Sequence, residues 1–184
     1  MGEGARLRPT YYTIGHSTHT VENFIALLRR AGVRSVVDVR TLPRSRSNPQ
    51  FNTEVLPSAL ADAGIGYEHI AALGGLRSRR RELPAEVNAF WQNASFHNYA
   101  DYAMSPHFAE GLARLRELGR IAPCAVMCAE ALWWRCHRRI IADYLLAGSD
   151  AVQHIMADGK VVAASLTPAA QPVERGLTYP KAET

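Results

Sequence analysis

The sequence predicts a single-domain α/β fold, a three-layer sandwich whose mostly parallel sheet carries an antiparallel edge strand. Three observations predict it. Short apolar runs alternate with amphipathic helical patterns along most of the chain. Near the end, Asp158-Gly159 separates two more apolar runs and signals a tight hairpin. No internal repeat or linker divides the 184 residues, a length that suits one domain with a real core.

Taken in order, residues 1–10 are expected to be a frayed N-terminus, residues 11–168 the domain and residues 169–184 a C-terminal tail. Residues 11–15 read as a short strand. Thr20 then offers an N-cap to a helix whose apolar face is Val21, Phe24, Ile25, Leu27 and Leu28, closed by Gly32. SVVDV, residues 35–39, is β-branched and apolar, as in a strand covered on both faces. Pro43, Asn48 and Pro49 break the loop that follows, and a second helix is predicted up to Ala63, before Gly64. Residues 67–70 read as a third strand, and residues 73–96 as a long irregular section, a length that is usually functional or mobile. A short helix is predicted over residues 97–104. Ser105 and Pro106 then form an N-cap and N1 pair for a helix ending near Gly119. Residues 123–128 make the next apolar strand and residues 135–146 the next helix, stopped by Gly148. The hairpin arms are 152–156 and 160–164.

Composition limits the function classes. Apolar content of 47% and charged content of 21% are ordinary for a globular protein. No apolar run approaches the ~20 residues of a membrane span, and no basic and apolar leader opens the chain. A cytoplasmic protein with no membrane partner is expected. Of 21 basic residues 19 are arginine, which favours bidentate contact with phosphate or carboxylate, although a GC-rich genome would inflate arginine too. Three cysteines cannot all pair, so structural, catalytic or metal-binding thiols are expected rather than a disulfide scaffold.

Polar residues collect where the strands end. In an open α/β sheet, ligands bind beyond the carboxyl ends of the strands. The first strand ends in GHST, with Gly15, His16 and Ser17, whose small residues and N–H groups suit an anion. The second ends in DVR, where Asp38 is expected to be buried and either paired with Arg40 or engaged with substrate. Arg44, Ser45 and Asn52 follow on a loop, and Arg77 opens a dense arginine run that is either a solvated face or a clamp for phosphates. The fourth strand ends in CAE, with Cys128 and Glu130. Parallel strands would send these words to one crevice.

The stretch CAEALWWRCHRR, residues 128–139, raises the sharpest question, because arginines at a helix N-terminus oppose its partial positive charge. Helical spacing puts Cys136 and His137 one turn before Ile140 and Ile141, hence inward. It puts Arg139 with Asp143 toward solvent and Arg138 at the margin. Arg135 and Arg138 then lack a surface explanation. Cys128 at a strand end suits a nucleophile. The tight phosphatase cradle needs C-x5-R, whereas Arg135 gives C-x6-R with bulky Trp133 and Trp134 between. Cys128, Cys136 and His137 could bind zinc with Glu130, but C-x7-C-H matches no familiar zinc spacing. Cys124, about 13 Å away along a strand, would stay outside.

TIGHST, VVDVRTLPRSRSNPQFN, LGGLR, NASFHNYADYA and VMCAEALWWRCHRR, in this order, resemble the family of domain-of-unknown-function 488, from Tyr12 to about Met156. The resemblance implies a compact Rossmann-like fold and no assigned activity. Its signature positions fall on Gly15, His16, Ser17, Asp38, Arg40, Pro43, Arg44, Asn52, Gly74, Gly75, Cys128, Glu130, Cys136, His137 and Arg138. Trp133 stands where the family commonly has proline, so the loop shape can differ here.

The leading expectation is an enzyme with a Cys/His/Glu site in an arginine-lined crevice, acting on an anionic nucleotide, nucleic acid or phosphorylated metabolite. Cys128 would be nucleophile or redox thiol and His16 or His137 the general acid/base. Glu130 would orient a histidine or carry a proton, while Arg40, Arg44 and Arg138 bind the anion. The alternatives are a nucleic-acid-binding module without catalysis and a metal-dependent enzyme using Cys128, Cys136 and His137. No cofactor is expected, and association into a homo-oligomer stays open.

Overall fold

The structure is a computed structural model that describes residues 8–183, so the fraying expected of residues 1–7 lies outside it. Six strands form the main sheet: β1 (Thr10–Gly15), β2 (Ser35–Asp38), β3 (Gly66–His69), β4 (Cys124–Cys128), β5 (Ala151–Ile155) and β6 (Val161–Ala163). Their order across the sheet is β3-β2-β4-β1-β5-β6. All pairs are parallel except β5 with β6, so the Asp158-Gly159 hairpin supplies the antiparallel edge. Five helices connect them: α1 (Val21–Arg30), α2 (Leu56–Asp62), α3 (Ala94–Ala103), α4 (Pro106–Ile121) and α5 (Arg138–Ala147). The result is the expected Rossmann-like sandwich. No helix among the described residues is long and apolar enough to cross a membrane.

The sheet separates two apolar clusters. On one face α1 and α2 bring Phe24, Leu28, Leu56 and Leu60 against Val36, Ala125 and Met127. On the other, α3, α4 and α5 bring Tyr99, Phe108, Leu115, Ile140 and Leu145 against Val37, Val126 and Cys128. The two-residue period of β4 thus sends Cys124, Val126 and Cys128 to the α5 face and Ala125 and Met127 to the α1 face. The helix following β1 and the helix following β4 lie on opposite faces of adjacent strands. That is a topological switch point, where a crevice opens beyond the strand ends.

Local chemistry explains most boundaries. The Thr20 side chain accepts from Asn23 N–H, and Ser105 accepts from Phe108 N–H, as the cap signals predict. Asn93 caps α3 in the same way, so that helix starts earlier than residue 97. The main departure is α5. It begins at Arg138 rather than Arg135, because Trp133–Arg135 form a 3-10 turn and Cys136 is extended (φ −128°, ψ 149°).

Within the tail expected over residues 169–184, residues 171–179 are held against the domain. β7 (Gln171–Val173) and β8 (Gly176–Thr178) form a hairpin, and Leu177 and Tyr179 are buried in the α5-side cluster. The Tyr179 hydroxyl donates to Asp143 at 2.9 Å, and its N–H bonds Asn88 Oδ1 at 3.0 Å. Asp143 is therefore buried. Arg139, expected beside it in solvent, instead bonds Thr167 and lies over the Trp91 ring. Two anchoring side chains in a polar segment make no periodic pattern, which is why the sequence reads as a tail. Tyr179→Ala is expected to lower unfolding stability by roughly 3–5 kcal/mol in urea titrations, as for large aromatic truncations in a core. A loss below about 1 kcal/mol would show that the segment is only draped on the surface.

Candidate functional site

The switch point contains a pocket of about 420 Å³ lined by His16, Arg40, Ser45, Cys128, Cys136 and His137, with Arg44, Glu130 and Arg135 at its edge. The parallel register that sets Gly15 beside Cys128 brings the ends of β1 and β4 together. A Cβ at Gly15 would overlap the Glu130 carbonyl, so only glycine lets the loop after β4 lie this close.

The α1 face supplies one half of the site. Asp38 is fully buried and accepts from Arg40 Nε at 2.9 Å and Nη2 at 2.6 Å, from Arg40 N–H, and from the Tyr67 hydroxyl at 2.6 Å. The pair is structural, and the same guanidinium also donates to the Phe51 carbonyl, pinning the loop after β2. Arg40 Nη1 donates to His16 Nε2 at 3.3 Å, which leaves His16 Nδ1–H to donate to the Ser17 carbonyl at 2.9 Å. Burial, more than any neighbour, pulls His16 down to about 4, and its ring stacks on Phe51. It is a neutral, fully committed imidazole, a poor candidate for acid/base work near neutrality.

At GHST, expected to bind an anion, two of the N–H donors have backbone partners. His16 N–H and Ser17 N–H donate to the Cys128 and Ala129 carbonyls, so those donors tie β1 to β4 instead. Arg44 pairs with Glu54 on the exposed rim. Asn52 Oδ1 accepts from Ser45 N–H at 2.6 Å and shapes the loop from outside the pocket. Arg77 also lies outside it, bonding the Ala71 and Gly74 carbonyls and covering the Tyr102 ring at 3.7 Å. The Glu130 carboxylate accepts from Leu132 N–H at 3.1 Å and reaches no histidine. Arg135 is exposed at the pocket edge, and its guanidinium bonds no other described residue.

The α5 face supplies the other half. Arg138, expected at the margin, is 1% exposed, and no carboxylate pairs with it among the described residues. Its Nη2 donates to the Glu130 carbonyl, its Nη1 to Thr13 Oγ1 at 3.5 Å and its Nε to Cys136 Sγ at 3.4 Å. The backbone N–H of Arg138, first of α5, points at the same sulfur from 3.5 Å. His137 Nε2–H donates to the Val39 carbonyl at 2.8 Å, which turns Nδ1 toward Cys136 Sγ at 3.5 Å. Gly75 leaves room for that ring, since a Cβ there would lie 2.5 Å from Nδ1.

The two sulfurs, Cys128 Sγ and Cys136 Sγ, are 2.7 Å apart. Burial pushes both thiols up. At Cys136 it is overcome by the hydrogen bond from Cys128 and by His137 and Arg138, which hold this thiol well below its ordinary value. Cys128 is driven well above its own, by burial and then by its bond to Cys136. Cys124, buried on the strand and remote from both, is pushed up to about 11 by burial and serves as core. Among the described residues no group of three His, Cys, Asp or Glu side chains is placed to share a metal ion.

Thr13, Trp133 and His154 escape a reading of the sequence. Thr13 Oγ1 takes the Arg138 hydrogen bond and donates to His154 Nδ1 at 2.6 Å. His154, pulled down to about 4 by burial and then by Arg138, stacks flat on Trp133 at 4.2 Å. A threonine in a strand and a histidine in an edge-side strand carry no local signal of this contact.

A family model described as Domain of unknown function DUF488 matches residues 20–145. No curated protein and no solved structure matches the chain.

The two depressed imidazoles make stability fall with acid. Both stay neutral in the fold down to about 4, whereas the unfolded chain takes up protons as the pH drops through its ordinary 6.5. Their contribution is complete above 6.5 and is lost progressively toward 4. Urea midpoints should decline over that window, and less steeply in His16→Gln and His154→Gln. Equal declines in wild type and variants would refute it.

Proposed function

From the premise that the chain belongs to the DUF488 family, which supplies no activity, we propose that it is a cysteine-dependent enzyme acting on a small anionic substrate, a nucleotide or another phosphorylated metabolite. One observation carries the reading: among the described residues no carboxylate meets the buried Arg138 guanidinium, and Cys136 Sγ, 3.4 Å from its Nε, can hold the answering negative charge. An uncompensated buried cation is costly, so the charge balance of the site favours a thiolate. The first N–H of α5 and the His137 ring face the same sulfur, the surroundings that activate a cysteine.

Cys136 therefore takes the nucleophile's role in preference to Cys128, which donates its S–H to it. The proton between Cys136 and His137 Nδ1 is the one available to a leaving group once sulfur has attacked. Arg135 on the rim offers a guanidinium contact to the anionic part of the substrate. Leu42 and Leu76, 72% and 74% exposed on the same pocket, offer an apolar surface to the remainder.

Two measurements test this. Alkylation by iodoacetamide is expected to show one fast thiol titrating well below ~8.5, lost in Cys136→Ala and kept in Cys124→Ser. A protein in which every thiol follows the ordinary range has no thiolate, and the reading fails. Arg135→Ala is expected to weaken binding of inorganic phosphate or a mononucleotide roughly tenfold or more, the worth of a charge-assisted hydrogen bond, as read by calorimetry. A nucleic-acid-binding module would instead show affinity for oligonucleotides that falls log-linearly with salt and survives Cys136→Ala.

A further inference from the structure

We propose that Cys128 and Cys136 form a reversible dithiol–disulfide couple that reduces a small hydroperoxide admitted to the pocket. The inference rests on the thiolate assigned to Cys136 and gives that sulfur a second, resolving partner. The sulfurs are 2.7 Å apart, although one ends β4 and the other precedes α5. A disulfide needs ~2.05 Å, so closure requires a shift of well under one ångström and no refolding of either element. Both side chains border the 420 Å³ pocket, and the third cysteine does not.

The chemistry balances with the groups present. The Cys136 thiolate attacks the terminal peroxide oxygen; an S–O bond forms, the O–O bond breaks, and the departing alkoxide takes the proton from His137 Nδ1 to leave as an alcohol. Cys128 then attacks the sulfenic sulfur of Cys136. The S–S bond forms, the S–O bond breaks, and hydroxide leaves with the Cys128 proton as water. The two sulfurs have lost two electrons to the peroxide. An external dithiol returns them with two protons and restores the thiolate and imidazolium.

Arg138 explains why such a disulfide is readily reduced again. Oxidation consumes the anion that faces its guanidinium and leaves Thr13 Oγ1 and the Glu130 carbonyl as its neutral partners. A couple whose reduced form is the better stabilised one is an oxidising couple. Structural disulfides normally stabilise a fold by constraining the unfolded chain. Here the oxidised protein is expected to be no more stable in urea than the reduced one.

The test uses the full chain, reduced, freed of reductant and exposed to one equivalent of hydrogen peroxide before quenching with acid and alkylating. Expected is loss of two hydrogen masses, a peptide pair joined through Cys128 and Cys136, and a free Cys124. Cys128→Ser should stop at a dimedone-reactive sulfenic acid on Cys136. Rapid alkylation of Cys136 with no Cys128–Cys136 link after peroxide would overturn the couple and leave the nucleophile reading standing. Slow, ordinary alkylation with no link would overturn both. A linked protein with a clearly higher urea midpoint than the reduced form would make the bond a structural staple and end the proposal of a cycling couple.

Discussion

A buried positive charge that no carboxylate among the described residues answers governs this molecule. Arg138 lies under the carboxyl ends of β1 and β4, held by a carbonyl, a threonine hydroxyl and a cysteine sulfur. Desolvating a guanidinium is tolerable only when its donors are filled and its charge is answered. Those demands explain the neighbours. The loop after β4 must bend so that the Glu130 carbonyl turns inward, Gly15 must have no side chain to obstruct that bend, and Cys136 must stay extended ahead of α5 so that its sulfur faces Nε.

The sheet divides the site into two systems with different work. On the α1 face, Asp38, Arg40, Tyr67 and His16 form a network whose hydrogen bonds are spent on one another and on the carbonyls of Ser17 and Phe51. It fixes the shape of the pocket wall. On the α5 face, Cys128, Cys136, His137 and Arg138 form a second hydrogen-bonded network, the one on which the proposed chemistry rests. Both end at the same rim because β1 and β4 run side by side and their following helices leave on opposite faces.

Much of the site is legible in the residues alone. The words at the ends of three apolar strands named His16, Arg40 and Cys128, and parallel pairing does carry them to one pocket. The Asp38–Arg40 partnership follows from two residues of separation on one strand face, and the structure shows that pair. Elsewhere backbone groups take up what is expected to face a ligand, some of them only two to six residues away in sequence. Arg77 is taken up by the Ala71 and Gly74 carbonyls, Glu130 by the loop's own N–H, and the GHST donors by the β4 carbonyls.

Periodicity and turn chemistry by themselves determined the alternation of strands and helices and the Thr20 and Ser105 caps, because each is set by residues near one another in sequence. Helical spacing could not place residues 133–138, since it assumes one continuous helix where Cys136 is extended. That single departure moves Arg138 from the margin into the interior and lays Cys136 against Cys128. Thr13, His154 and Tyr179 joined their networks only through folding. Their partners lie from 36 to 141 residues away, and no local pattern encodes a hydrogen bond across that distance.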